Sequence, residues 1–189
     1  MRIVDVNDSI IKNLRNSGIS KLMKSLESCD WLAIEENNDR IIGAAGMGGF
    51  FHVSSIQIIE EFQNKGIGKK LQKELIDESR RRGYSFVMVL FNPSNIPSAN
   101  LHTSLGYKKI FRIKYSKNYI NDVNIIIFRG VGNFLHSILK IFNSKTGMFF
   151  LACFLKILKP FFKKLIAYNE SDLPDPSIIW IVKNFEKID

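Results

Sequence analysis

Ile58-Ile59-Glu60-Glu61-Phe62-Gln63-Asn64-Lys65-Gly66-Ile67-Gly68-Lys69-Lys70-Leu71 reads as the end of a strand, a short turn with two glycines and the start of a helix. A helix start presents backbone N–H groups that lack acceptors, together with a partial positive charge, and both attract phosphate. Gly66 and Gly68 take away side chains that would hold a pyrophosphate off the backbone, and Lys65, Lys69 and Lys70 add formal charge beside them. Single positions exclude two common phosphate loops. A Walker A loop needs Gly at 63 and Ser or Thr at 70, where this chain has Gln63 and Lys70. A dinucleotide fingerprint needs Gly or Ala at 71, where Leu71 stands. On local sequence alone, a helix that merely starts after a tight turn is the alternative.

Around this stretch the elements can be read by period. From Gly66 to Arg82, Ile67, Leu71, Leu75 and Ile76 share one face of a predicted helix that Gly83 ends. YSFVMVLF (84–91) is nearly all apolar, as expected of a central strand buried on both faces. Upstream, RIVDV (2–6) predicts a strand, Asn7, Asp8 and Ser9 offer caps for a helix to about Ser17, and a second helix follows over 20–28. WLAIEE (31–36), NNDR (37–40) and IIGAAGM (41–47) read as a hairpin, and FFHVSSIQII (50–59) as the next strand. Downstream come a short helix from Pro97 to Leu105, a strand YKKIFRIKY (107–115) and, much later, a strand SIIWIVKNF (177–185). The expected fold is α+β, one domain over residues 1–189, with a helical insertion at 117–176 between the last two strands.

Gln63-x-x-Gly66-x-Gly68 resembles the Q/R-x-x-G-x-G/A motif of the GNAT superfamily of N-acyltransferases, which there holds the CoA pyrophosphate. Asn95-Ile96-Pro97-Ser98-Ala99-Asn100-Leu101-His102-Thr103-Ser104-Leu105-Gly106-Tyr107 resembles the second motif of that family, N-x-x-A/S-x-x-L-Y/H-x-x-x-G-F/Y. The resemblance covers residues 1–116 and 177–187 and leaves the helical segment out. It implies a mostly antiparallel mixed sheet, flanked by helices, whose middle strands splay apart around the pantetheine arm of acetyl-CoA.

By the same resemblance, the CoA-binding residues would be Gln63, Asn64, Lys65, Gly66, Ile67, Gly68, Lys69 and Lys70 at the turn, with Asn95 and Ser98 on the short helix. Backbone groups of Gln57, Ile58 and Ile59 would bond the pantetheine, and one N–H would polarise the thioester carbonyl. The implied reaction is direct attack of a neutral amine on the acyl-thioester, with a base for the ammonium proton and a proton donor for the departing thiolate. His102 stands where the family often places a Tyr donor, or it packs beside the sulfur. His52, eleven positions before Gln63, is the candidate base, or a half-buried strand residue. Glu60 and Glu61 sit in the turn and are not the expected base. Asn95 either bonds pantetheine or only caps the helix. No metal is implied. Acetyl is the expected acyl group; a longer acyl chain, or an acyltransferase-like binding module at a membrane, are the alternatives.

Of 189 residues, 27 are Lys or Arg and 18 Asp or Glu, a formal charge of +9, which allows a nucleic acid, a membrane surface or an anionic ligand as partner. The 46% hydrophobic content excludes a disordered chain, and two cysteines cannot form a disulfide framework. Met1-Arg2-Ile3-Val4-Asp5 shows no long apolar run, so the expected location is cytoplasmic, free or peripheral to a membrane. Residues 123–168 are different: seven Lys or Arg, no Asp or Glu, and a helical period over Val123–Phe142 and again over Gly147–Tyr168. They could lie on a membrane surface, wall a lipophilic pocket, or pack on the sheet or on a second subunit of a homodimer. Their uncharged stretches are too short to span a bilayer. Nucleic acid is not expected, because the cations are interleaved with aliphatic surface and no stacking motif is present.

Overall fold

Turn chemistry and alternation set the first half of the chain. The computed structural model describes residues 1–158 apart from 22, 50–52, 117–118 and 142–143. Within that span the chain forms two units, Met1–Gly83 and the described residues from Tyr84 onward.

The first unit holds β1 (Arg2–Asp5), α1 (Asp8–Asn16), α2 (Met23–Glu27), β2 (Trp31–Asn37), β3 (Arg40–Gly48), β4 (Val53–Ile58) and α3 (Ile67–Arg81). Asn7 caps α1, its side chain accepting from the Ile10 N–H at 3.0 Å. Between β2 and β3, Asn38 and Asp39 take φ of 50° and 62°, the left-handed pair that matches the twist of a two-residue hairpin. β1 pairs with β2, β2 with β3 and β3 with β4, all antiparallel. Leu32, Ile34 and Ala44 pack with Ile10, Leu14, Ile19 and Leu26 of the helical region before β2. Residues alternate across a strand, so Gly43 faces the other way, toward α3. A Cβ on Gly43 would lie 3.0 Å from Leu71 Cδ1 and 3.3 Å from Ile67 Cγ2. The missing side chain lets the first turns of α3 settle on β3, which fixes the height of the turn that precedes the helix.

The second unit holds β5 (Phe86–Phe91), α4 (Ile96–Ser104), β6 (Lys108–Ser116), β7 (Tyr119–Ile127), α5 (Gly130–Ile141) and α6 (Lys145–Leu158). β7 pairs antiparallel with both β5 and β6. Phe86, Val87, Met88 and Val89 are buried, as their continuous apolar run predicts.

β7 corrects the sequence reading, which began a helical insertion at 117 and a helix at Val123. Asp122 and Asn124 are buried in this strand. Asp122 accepts from Arg112 Nε at 2.6 Å and lies 3.6 Å from Lys109 Nζ, both across the β6–β7 ladder. Strand pairing satisfies the charge and the β-branched run of Ile125, Ile126 and Ile127 favours the strand. The helical segment therefore begins at Gly130. Its expected continuation to 176, and the strand expected at 177–185, lie outside the described residues. At the start of α5, a Cβ on Gly132 would come within 2.7 Å of the Ser85 carbonyl oxygen and of Ile127 Cγ2, so Gly132 allows the helix to sit against β7. Ser144 caps α6, its hydroxyl accepting from the Gly147 N–H at 3.0 Å.

Candidate active site

In the first unit, the Ile59 N–H donates to the Ile42 carbonyl at 3.0 Å. With Gly43 opposite Ile58 and Ala44 opposite Gln57, the antiparallel alternation turns the N–H and C=O of Ile58 away from β3. The Ile58 carbonyl accepts from Gln63 Nε2 at 3.1 Å, so the motif glutamine closes the turn onto the end of β4. A single 3-10 turn, Glu60–Phe62, lies between them, and the Phe62 N–H donates to the Ile59 carbonyl at 2.9 Å. Asn64 and Gly66 then adopt left-handed φ of 60° and 77°. A Cβ on Gly66 would meet nothing within 4 Å, so this position needs glycine for its dihedral rather than for space.

The first helical bond of α3 runs from the Lys70 N–H to the Gly66 carbonyl at 3.2 Å. The N–H groups of Ile67, Gly68 and Lys69 therefore precede any intrahelical acceptor and point out of the helix start. No acid lies in this first turn. Lys65, Lys69 and Lys70 are exposed, and Lys65 Nζ lies 4.9 Å from the Phe62 ring centre. Glu61 pairs with Arg40 at 2.8 Å, and the same guanidinium donates to the Ser17 carbonyl at 3.3 and 3.2 Å. One of the two acids before the turn is thus matched by a cation, and the helix start keeps its positive field.

In the second unit, Asn95 caps α4, its Oδ1 accepting from the Ser98 N–H at 3.1 Å, and Pro97 occupies the first turn. One turn on, His102 is 4% exposed. Its ring stacks on Phe91 (centres 5.1 Å apart, planes at 10°) and meets the edge of Tyr107 at 5.3 Å. Nδ1 lies 2.8 Å from the Ser98 carbonyl oxygen and 3.3 Å from its hydroxyl. A carbonyl only accepts, so Nδ1 carries the proton, and in the neutral ring Nε2 is the bare acceptor. Nε2 is buried without a hydrogen-bond partner among the described residues. Burial pushes the imidazole pKa down, and the bond to the Ser98 carbonyl offsets this only in part. His102 is therefore neutral at pH 7.

The model of the acetyltransferase (GNAT) family matches residues 11–107, just over half of the chain, and includes both motifs. The chain belongs to the GNAT family. It is 34% identical over 82 residues to the L-amino acid N-acyltransferase MnaT of Escherichia coli (strain K12), a match covering 39% of this chain and 48% of that protein. The same figures hold for the L-methionine sulfoximine/L-methionine sulfone acetyltransferase of Salmonella typhimurium. The chain spans about half the length of the curated relatives it matches. Among solved structures, a Salmonella typhimurium acetyltransferase with its cofactor acetyl-CoA superposes with a TM-score of 0.52 at 19% identity, over 69% of this chain and 95% of that one. The ribosomal-protein-alanine N-acetyltransferase of Brucella melitensis gives a TM-score of 0.55 at 17% identity, over 68% and 100%. These likenesses establish the GNAT fold and the α+β class.

The structure places Gln63 to Gly66 in the turn and Ile67 to Lys70 in the first turn of α3, with Asn95 as the cap of α4 and Ser98 and His102 on that helix. It corrects the expectation for Ile59. Both backbone groups of Ile59 are engaged, its N–H with Ile42 and its C=O with Phe62, because the 3-10 turn begins immediately after it. Gln57 lies opposite Ala44, so Ile58 is the residue with backbone groups facing away from β3. Asn95 is a helix cap. His52 lies outside the described residues. Sequence reasoning missed the left-handed Asn64, the Arg40 pairing and the aromatic walls Phe91 and Tyr107. Asn64 carried a usable signal, since Asn tolerates positive φ better than most residues. Cys29 is no nucleophile: its thiol is buried, donates to the Ser25 carbonyl at 3.3 Å and is pushed up to about 12, by burial first and then by Asp30.

Proposed function

We propose that this protein transfers an acyl group, in the first instance acetyl, from acetyl-CoA to an amine by direct attack within a ternary complex. The observation that carries the reading is the start of α3, where three unsatisfied N–H groups, left-handed Gly66 and an acid-free, lysine-rich turn form a pyrophosphate cradle. Gln63, Asn64 and Gly66 shape it; Ile67, Gly68 and Lys69 donate from the backbone; Lys65, Lys69 and Lys70 supply charge. The Ile58 N–H, turned away from β3, is the natural donor to the pantetheine and thioester carbonyl.

Direct attack also accords with Cys29, whose un-ionised thiol gives no acyl-enzyme intermediate. The amine must lose a proton before it attacks, and His102 starts neutral with Nε2 open. In this reading His102 first takes a proton, through water or from the ammonium, and as imidazolium returns it to the departing thiolate, while the second nitrogen proton leaves to water as the tetrahedral intermediate collapses. His52 is the alternative base. The named relatives act on amino acids and on L-methionine sulfoximine and sulfone, so small amine-bearing compounds are the first acceptors to test.

The test is thermal stabilisation by acetyl-CoA, followed by thiol release with a panel of L-amino acids. Stabilisation that Gly66→Glu abolishes is the expected result, and no shift with any CoA ester would overturn the reading. Faster thiol release from a long-chain acyl-CoA than from acetyl-CoA would replace acetyl with a longer acyl group.

A further inference from the structure

The sheet-facing side of α5 is set by buried Gly132 and half-buried His136, whose pKa burial and then the nearby cations Lys140 and Lys108 push down. On the opposite side Phe134, Ile138 and Ile141 recur at the i, i+4, i+7 spacing and form an exposed stripe, with Phe134 69% exposed. α6 exposes Phe150 (62%), Phe154 and Ile157 (71%). Apart from Met1 and Ile96, every large exposed apolar side chain among the described residues lies on these two helices. Single exposed apolar residues are ordinary, whereas a concentration of this kind marks a contact surface.

The charge pattern identifies the partner. The charged residues of α5 and α6 are Lys140, Lys145 and Lys156, and the stretch from Arg129 to Tyr168 holds seven Lys or Arg and no Asp or Glu. A second copy would bring the same cations together with no acid on either side to pair them. A neutral apolar partner would gain nothing from the cations. An anionic bilayer fits both features, because aromatic and aliphatic side chains enter the acyl boundary while lysines reach up to the headgroup phosphates. At 12 and 14 residues the helices are well short of the ~20 that a span requires, and no described helix is long and apolar enough to cross a membrane. We infer that α5 and α6 dock in the plane of an anionic lipid surface.

The test is co-sedimentation of the full chain with phosphatidylcholine vesicles, with or without one-quarter phosphatidylglycerol. Binding should be about tenfold stronger or more to the anionic vesicles, weaken in high salt, and be lost in the double variant Phe150→Glu/Phe154→Glu. Circular dichroism melting of that variant guards against misfolding. Should it fail to fold, Lys140→Gln/Lys145→Gln should still lower binding to the anionic vesicles selectively. The proposal falls if the folded protein ignores both kinds of vesicle. It falls equally if sedimentation equilibrium shows a dimer that Phe150→Glu/Phe154→Glu dissociates, because the occupant is then a second copy. A wild type that binds neither vesicles nor itself, with α6 protected from proteolysis, would make another segment of the chain the occupant.

Discussion

Two regions of this molecule are cationic, and they are cationic in different ways. At the start of α3 the lysines stand beside unsatisfied backbone N–H groups on a turn that only left-handed Asn64 and Gly66 can make. Along α5 and α6 the lysines are sparse and the exposed neighbours are Phe and Ile. Backbone donors have fixed directions and suit a compact anion such as a pyrophosphate; apolar stripes have none and suit an extended surface. Positive charge alone does not distinguish a ligand site from a docking face. The atoms around it do.

The largest effect expected is at the turn. Gly66→Glu places a carboxylate at the helix start in a residue with φ of 77°, and should cut acetyl-CoA-dependent turnover by ~10²-fold or more. The same variant should bind anionic vesicles as well as the wild type does. A parallel loss of vesicle binding would mean that the two regions do not act separately. Gly66→Ala separates strain from electrostatics, since the methyl group meets no atom and only the dihedral is disfavoured. It should lower stability by about 1 kcal/mol and weaken acetyl-CoA far less than Glu does, as thermal melts with and without ligand would show.

His102→Phe preserves the stack on Phe91 and removes both ring nitrogens. Its kcat should fall by ~10²-fold, with KM for acetyl-CoA little changed, if Nε2 carries a proton in the reaction. An unchanged kcat would reduce His102 to a packing residue. The pH dependence has a definite sign. Burial holds the folded pKa of His102 below its ordinary value, so the unfolded chain binds more protons in the window beneath it. Stability is then full above pH ~6.5 and lost as the pH falls through the folded value. Urea midpoints measured downward from pH 7.5 should show that slope. His102→Phe should flatten it in part, because the pKa of His136 is lowered as well.

What the sequence made legible follows the same physical lines. The turn was readable because Gln63 closes it onto Ile58 and Gly66 takes its left-handed dihedral, and such local geometry is written in consecutive residues. β7 was not readable, because residues from Val123 onward fit a helical period, and the pairing of Asp122 with Arg112, ten positions away across the ladder, leaves no mark on consecutive residues. The tautomer of His102 was hidden for a related reason. A motif gives the residue type at position 102, but only the bond to the Ser98 carbonyl shows which nitrogen is open. Similarly, Ile59 could be told from Ile58 only once the register with β3 was known. Contacts distant in sequence, or dependent on direction, leave little trace in composition or period.

The smallest effect concerns Asn95, where capping and ligand binding predict different patterns. Its Oδ1 already accepts from the Ser98 N–H, so Asn95→Ala should cost about 1 kcal/mol of stability and loosen the start of α4. Asn95→Ser restores a capping oxygen but carries no amide N–H₂. If the residue only caps, Ser should recover the stability that Ala loses, and KM for acetyl-CoA should match the wild type. If the amide also holds the pantetheine arm, KM should rise in both variants while stability recovers in Ser alone. Asn95 is exposed, which leaves its Nδ2 within reach of solvent and of any bound ligand. The cap is visible in the structure and a pantetheine contact is not, so recovery of both quantities in Asn95→Ser is the expected outcome.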